Sequence, residues 1–231
     1  MPKTSWAGHS SSKFDPGRLN TKAVCTSLKE LLLKAQKTRW LDVGCGGDRE
    51  RGFFYMDTFS AETIPKAERR RYVQCDIVNL PDDVASRLGK FDLVRMQHIF
   101  EHFSYEEGQQ VLKNCTRLLK SDGIILISVP DLRIHIRRYL HNGYEKSGYR
   151  RWAHNRIPED SPNSFYFAIF AYSMPHEQHK WCYDFEGLWY QLKSCGEFKD
   201  IRQLGVRNRL ASSPFTHKRP DEDLCVMAVK K

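Results

Sequence analysis

The 231-residue sequence predicts an α/β fold, one domain over residues 1–231 on a seven-stranded, mainly parallel sheet with helices on both faces and one lid-like insertion. Three observations predict it. Seven short runs rich in Val, Ile, Phe and Tyr read as strands: "TRWLDVGC", "GFFYMDTF", "RYVQCDIV", "FDLVRMQ", "GIILISVP", "FKDIRQLGV" and "DLCVMAVK". A segment of helical period separates the fourth from the fifth. Such alternation demands crossover connections, hence parallel strands with ligands at their carboxyl ends. No Pro/Gly/Ser-rich linker divides the chain, and 40% of hydrophobic residues suffices for a layered core.

In chain order, residues 1–37 form an N-terminal arm and helix, the helix being "TKAVCTSLKELLLKAQ" with its apolar positions at helical spacing. Between Gln97 and Gly123 a second helix is predicted from the face of Val111, Leu112, Cys115, Leu118 and Leu119, with Gly123 as its stop. Residues 133–180 break the rhythm and read as an acceptor-binding insertion. Its first part, Arg133 to Arg156, holds seven Lys/Arg against one acid, interleaved with Tyr139, Tyr144, Tyr149 and Trp152. Aromatic faces beside cations suit sugar rings, nucleobases and phosphates. A solvated basic helix with its aromatics in the core fits the same pattern.

Charge and cysteine content narrow the classes. The formal charge of +9 favours an anionic partner without naming it. No apolar run reaches the roughly 18 residues of a membrane span. The start lacks the apolar segment of a signal peptide, and the seven cysteines are odd in number and never spaced as CxxC. A soluble, cytoplasmic protein with reduced thiols is expected.

In "WLDVGCGGD", Asp42 precedes Gly44, Gly46 and Gly47, residues that let backbone approach a ligand closely. Asp57 closes the second run, where a carboxylate can accept both hydroxyls of a ribose. Asp76 follows in the third, before the apolar Ile77. A Gly-rich turn alone is weak evidence, but three successive strands each ending in a carboxylate are stronger. The GxGxxG fingerprint is not met, because Asp48 and Arg49 stand where its turn and helix should begin. Nicotinamide binding is disfavoured.

These pieces, with "FDLVRMQHIFEHF", "LLKSDGIILISVPDL" and "HKWCYDFEGLWYQLKSCG", resemble the class I S-adenosylmethionine-dependent methyltransferases. Within them the chain is most similar to the branch associated with polysaccharide and glycan biosynthesis, over residues 38–231. The resemblance implies a Rossmann-like fold, S-adenosylmethionine as cofactor, a sugar or glycan acceptor, and a glycosyltransferase as neighbour or fusion partner. It implies that Gly44, Cys45 and Gly46 pass under the methionine part of the cofactor, with Asp42 supporting its amino group. Asp57 would hold the ribose hydroxyls. Asp76 would accept from the adenine amine, with Ile77 against the ring, and Gln97 would end the fourth strand beside the cofactor. Asp48 replaces a loop glycine of the wider superfamily, and the glycan branch commonly has a polar residue there.

The acceptor chemistry is expected at "MQHIFEHF", which sets His98, Glu101 and His102 within five residues, on one face if the segment is helical. Methyl transfer to a hydroxyl needs alignment of the acceptor and removal of its proton, and a positioned base adds about 10²- to 10⁴-fold. A neutral histidine backed by a carboxylate suits that task. His98 or His179 is the expected base, with Glu101 and His102 ordering the site and Asp131 binding acceptor hydroxyls. A divalent metal on the Glu/His set is the less favoured reading. It carries a looser resemblance to the small-RNA 2'-O-methyltransferases, whose first acidic ligand is here His98, and would need His176 or His179 to join. In a third reading Glu101 and His102 merely brace the chain after the fourth strand. His9, His135, His141, His154 and His217 are expected on the surface, and Cys45 contributes backbone rather than thiol. RNA, a small molecule, or a non-catalytic partnership are the alternatives to a glycan acceptor.

Overall fold

The computed structural model describes residues 39–47, 49–141, 178–205, 219 and 222–231. The expected first helix, Asp48, His176 and most of the insertion lie outside the described residues. All seven predicted runs contain strands: β1 (Trp40–Val43), β2 (Phe53–Asp57), β3 (Tyr72–Gln74), β4 (Phe91–Gln97), β5 (Leu119–Pro130), β6 (Phe198–Gln203) and β7 (Asp223–Lys230). They form one sheet in the order β3-β2-β1-β4-β5-β7-β6. The pairs from β3 through β5 are parallel, and β7 runs antiparallel to both β5 and β6. The described helices are α1 (Asp82–Leu88), α2 (Tyr105–Leu118), α3 (Leu132–Leu140) and α4 (Phe185–Ser194), with short 3-10 turns at Ala61–Thr63, Arg69–Arg71 and Phe100–His102.

Alternation along the strands sorts the core into two layers. Leu41, Val43, Val94, Met96, Ile125, Ile127, Val226 and Ala228 point to one face, where they meet Val111, Leu112, Cys115 and Leu118 of α2 and Leu188 and Leu192 of α4. Phe53, Tyr55, Leu93, Leu126, Cys225 and Met227 point to the other. Ser104 begins α2 with a capping box: its hydroxyl accepts from Glu107 N–H, and the Glu107 carboxylate accepts from Ser104 N–H. Such a cap is worth about 1 kcal/mol.

Two expectations fail here. The second helix ends at Leu118, well before Gly123. Leu119 already pairs with Phe91, so sheet hydrogen bonds take over the chain, and Gly123 lies inside β5 beside a register irregularity. His135, expected on the surface, is fully buried. Arg133, Arg137 and Arg138 make α3 look solvated, but the least exposed positions, Asp131, Ile134, His135 and Arg138, recur at helical spacing and face inward.

Candidate active site

From β1 the sheet order runs one way through β2 and β3, and from β4 the other way through β5. The carboxyl ends of β1 and β4 therefore flank the crevice where this architecture binds ligands. Gly44 leaves β1 with φ 69° and donates its N–H to Met56 O at 2.8 Å. A Cβ there would sit 2.5 Å from Ile99 Cγ1, so the loop after β1 and the turn after β4 close on each other only because residue 44 is glycine. At Gly46 and Gly47 a Cβ would meet nothing within 4 Å. That open backbone is the surface a ligand could approach.

Asp57, at the end of β2, accepts Gly46 N–H through Oδ2 at 2.9 Å and Thr58 N–H through Oδ1 at 2.7 Å, which fixes its carboxylate beside the loop. Asp76, two residues beyond β3, accepts from Val78 N–H and from the Asn79 side-chain amide. Asp57 Oδ2 and both oxygens of Asp76 keep a further lone pair for a ligand. Ile77 is buried in the first core layer. Gln97 ends β4 with a buried Nε2 that has no hydrogen bond among the described residues. Burial, then the charges of Asp57 and Asp42, push the Cys45 thiol up to about 12. It remains protonated and offers no nucleophile. Open glycine backbone, an anchored Asp57 and the orphan Gln97 amide fit the S-adenosylmethionine that the resemblance implies.

Asp42 has a partner within the sheet that the sequence did not announce. Its two oxygens accept from Arg95 Nε at 3.0 Å and Nη2 at 2.7 Å, with both residues buried. Arg95 Nη1 reaches Glu50 at 2.9 Å, and the guanidinium lies 4.2 Å from the Phe53 ring centroid. Asp42 and Arg95 are register neighbours on β1 and β4, pointing to the same face. The carboxylate expected under the amino group of the cofactor is thus held in the sheet by an arginine.

On the other side of the crevice, His98 has φ 56° and donates its N–H to Ser128 O at 2.9 Å. That left-handed residue ends β4 and turns the chain into the 3-10 turn of Phe100–His102. His98, Glu101 and His102 therefore do not share an α-helical face. The His98 ring lies between two carboxylates: Nε2 is 2.9 Å from Asp223 Oδ2, and Nδ1 is 3.3 Å from Glu101 Oε1. Burial would lower its pKa, but the bond to Asp223 and the pairing with Glu101 outweigh it and raise the value to about 9. A charged ring with both N–H groups directed at carboxylates has no lone pair for a substrate proton. Burial works against ionisation of Glu101 too, and the pairing with His98 overrides it, holding the carboxyl below its usual range.

Residues 178–184 arrive from far along the chain. Lys180 and Trp181 both donate backbone N–H to Glu101 O, at 2.9 and 3.2 Å, and Leu132 N–H bonds to Tyr183 O. This docking brings His179 Nε2 to 4.0 Å from Glu101 Oε1 and sets its ring edge-on to His102 at 5.0 Å. His102 Nδ1 lies 3.3 Å from Gln178 O. A small cavity opens beside them, lined by Glu101, Pro130, Leu132, His179 and Trp181. Asp131 lies just behind this wall as the N-cap of α3, accepting Arg133 N–H at 2.9 Å, and burial raises its pKa.

Sequence reasoning missed Asp223, which stands 125 residues from His98, and the Arg95 pairings. A carboxylate opening the apolar run "DLCVMAVK" was the available signal for the first. An arginine inside "FDLVRMQ", opposite an acid in the neighbouring strand, was the signal for the second.

No curated protein matches the chain by sequence. Among solved structures, the apo form of the S-adenosylmethionine-dependent methyltransferase SibL matches with a TM-score of 0.50 at 14% identity, over 90% of this chain and 56% of that one. An O-methyltransferase family protein from Burkholderia thailandensis matches with a TM-score of 0.49 at 12% identity, over 91% of this chain and again 56% of the other. Magnesium protoporphyrin IX methyltransferase from Synechocystis PCC 6803, solved with bound S-adenosylhomocysteine, matches with a TM-score of 0.48 at 12% identity, over 91% and 83%. The chain thus spans little more than half of two of these structures. The sequence profile described as "Methyltransferase domain" matches residues 18–183, and by that match the chain belongs to the methyltransferase-domain family.

Proposed function

We propose that the protein transfers a methyl group from S-adenosylmethionine to a hydroxyl of a sugar or glycan. S-adenosylmethionine supplies the methyl on a sulfonium, already a good leaving group, so the chain's own work is to align the acceptor and loosen its proton. Gly44, Cys45 and Gly46 offer backbone to the donor, with Asp57 and Asp76 as acceptors for its ribose and adenine and Gln97 beside it. The observation that carries the acceptor reading is the half-exposed Trp181, whose indole stands next to Glu101 and His179 at the surface. An indole face beside polar groups suits a sugar ring, apolar on its face and hydroxylated at its rim. The proton is removed on the Glu101, His102 and His179 side.

A ribose 2'-hydroxyl of RNA is the second reading, favoured by the closeness of those same three side chains. Labelled S-adenosylmethionine offered with glycosides, sugar nucleotides and RNA tests the proposal. Transfer to carbohydrate is the expected outcome, and transfer to RNA alone overturns it. RNA binding would also weaken steeply with salt.

A further inference from the structure

Glu101, His102 and His179 each offer one ligand atom, and these atoms lie within 4.8 Å of one another. Two further observations point to a ligand there. Glu101 is 2% exposed, and neither of its carboxylate oxygens has a well-formed hydrogen bond among the described residues. His98 offsets its charge from 3.3 Å on one side, and the unfilled lone pairs of a buried carboxylate remain costly unless a further donor or cation takes them. The second observation concerns His102. A carbonyl can only accept, so Nδ1 carries the proton toward Gln178 O, and Nε2 is left as the lone pair. Metal-binding histidines are oriented in this way by a carbonyl behind them.

We propose that Glu101, His102 and His179 form a binding site for one divalent cation of the zinc, manganese or cobalt class. Two imidazoles and a carboxylate are a mixed nitrogen and oxygen set that such ions accept. Ligands on a tetrahedral zinc stand about 3.4 Å apart. The 4.0 Å between His179 Nε2 and Glu101 Oε1 needs only a small closure. His98 is not a ligand, since its nitrogens face Asp223 and Glu101. It holds Glu101 from behind, and Asp223 holds His98. Three protein ligands leave at least one position open toward the cavity beside Trp181. An acceptor hydroxyl bound there would release its proton to solvent more readily, and His179 would act as ligand rather than base. That catalytic use rests on the acceptor reading above; the binding of the ion does not.

The test begins with protein stripped by EDTA and dialysed, then titrated with Co²⁺ by visible absorption and with Zn²⁺ by calorimetry. One equivalent is expected to bind. Glu101→Gln and His179→Ala should each weaken binding by more than the 10- to 100-fold typical of losing an outer partner. His141→Ala, at an exposed position, should leave it unchanged. His179 is partly exposed, so its variant stays informative if Glu101→Gln folds poorly, as judged by circular dichroism. Failure to bind either ion, or binding unchanged in both ligand variants, overturns the site. Methyl transfer to carbohydrate that survives stripping overturns the catalytic use of the ion and leaves the acceptor reading standing. An ion bound as expected without any carbohydrate transfer supports the site and overturns that reading.

Discussion

Arg95 and His98 stand three residues apart at the end of β4, and each is a cation between two carboxylates. Arg95 lies between Asp42 and Glu50, His98 between Glu101 and Asp223. The charge count is the same and the finish is not. Arg95 sends three nitrogens into hydrogen bonds of 2.7–3.0 Å and covers its face with Phe53. Around His98 only the Asp223 bond is short, and the Glu101 oxygens are left for the side chains arriving at 178–181. A completed cluster in low dielectric fixes two strands to each other, whereas an incomplete one keeps unspent affinity for a ligand. The difference separates a cluster that holds the sheet from one proposed to act at its mouth.

The largest effect expected is on the closed cluster. Arg95→Met leaves Asp42 buried without its counter-charge, and breaking a buried pair from one side costs about 3–5 kcal/mol. Urea unfolding measures it, and a loss below about 1 kcal/mol would show that the cluster does not brace the sheet. On the open cluster the main loss should be of turnover. Glu101→Gln is expected to lower methyl transfer at least about 100-fold, or about 2.7 kcal/mol of barrier. Its stability should fall less than in Arg95→Met, with S-adenosylmethionine affinity kept. Steady-state kinetics and a cofactor titration read these separately, and unchanged turnover would make the open cluster a brace as well.

Gly44 is the seam between the two halves. Alanine there adopts a left-handed conformation at a cost of about 1–2 kcal/mol. It also presses a Cβ against Ile99, the residue between His98 and the Glu101 turn. Gly44→Ala should lose about 2–3 kcal/mol of stability and weaken cofactor binding and turnover together. Loss of binding alone would mean that the halves are less coupled than their contact implies.

What could be read in the sequence follows the range of the interactions. The strands and the donor loop are local patterns: Leu41 and Val43 alternate with Asp42, and Gly44 to Gly47 follow within a few residues. The second helix announces itself through the stripe from Val111 to Leu118. The acceptor side is assembled from remote pieces. His98 meets Asp223, and Glu101 carries the backbone of Lys180 and Trp181. No periodicity encodes which distant carboxylate faces which ring. The left-handed turn at His98 was also invisible, because helical spacing and a 3-10 turn share the same short motif. The Asp42–Arg95 pair was hidden for a related reason, since the two residues are adjacent only once β1 and β4 are in register.

The smallest effect comes from the buried His135 ring, which sharpens what the carboxylates do for His98. Burial, reinforced by the charge of Arg138, lowers its pKa to about 4; Glu222 offsets part of this, and His179 and Arg219 add to it. The folded protein therefore resists a proton that the unfolded chain accepts near 6.5. Between those values the unfolded state binds more protons, so stability rises with pH and is lost as the pH falls below 6.5. From pH 7 to pH 5 the loss from this ring should be about 2 kcal/mol. His135→Gln, which cannot titrate, should flatten that part of the profile in urea unfolding at matched ionic strength. If the slope persists unchanged in the variant, the acid sensitivity belongs to other groups, and burial alone is not what keeps His135 neutral while His98, three strand residues past Arg95, is held charged.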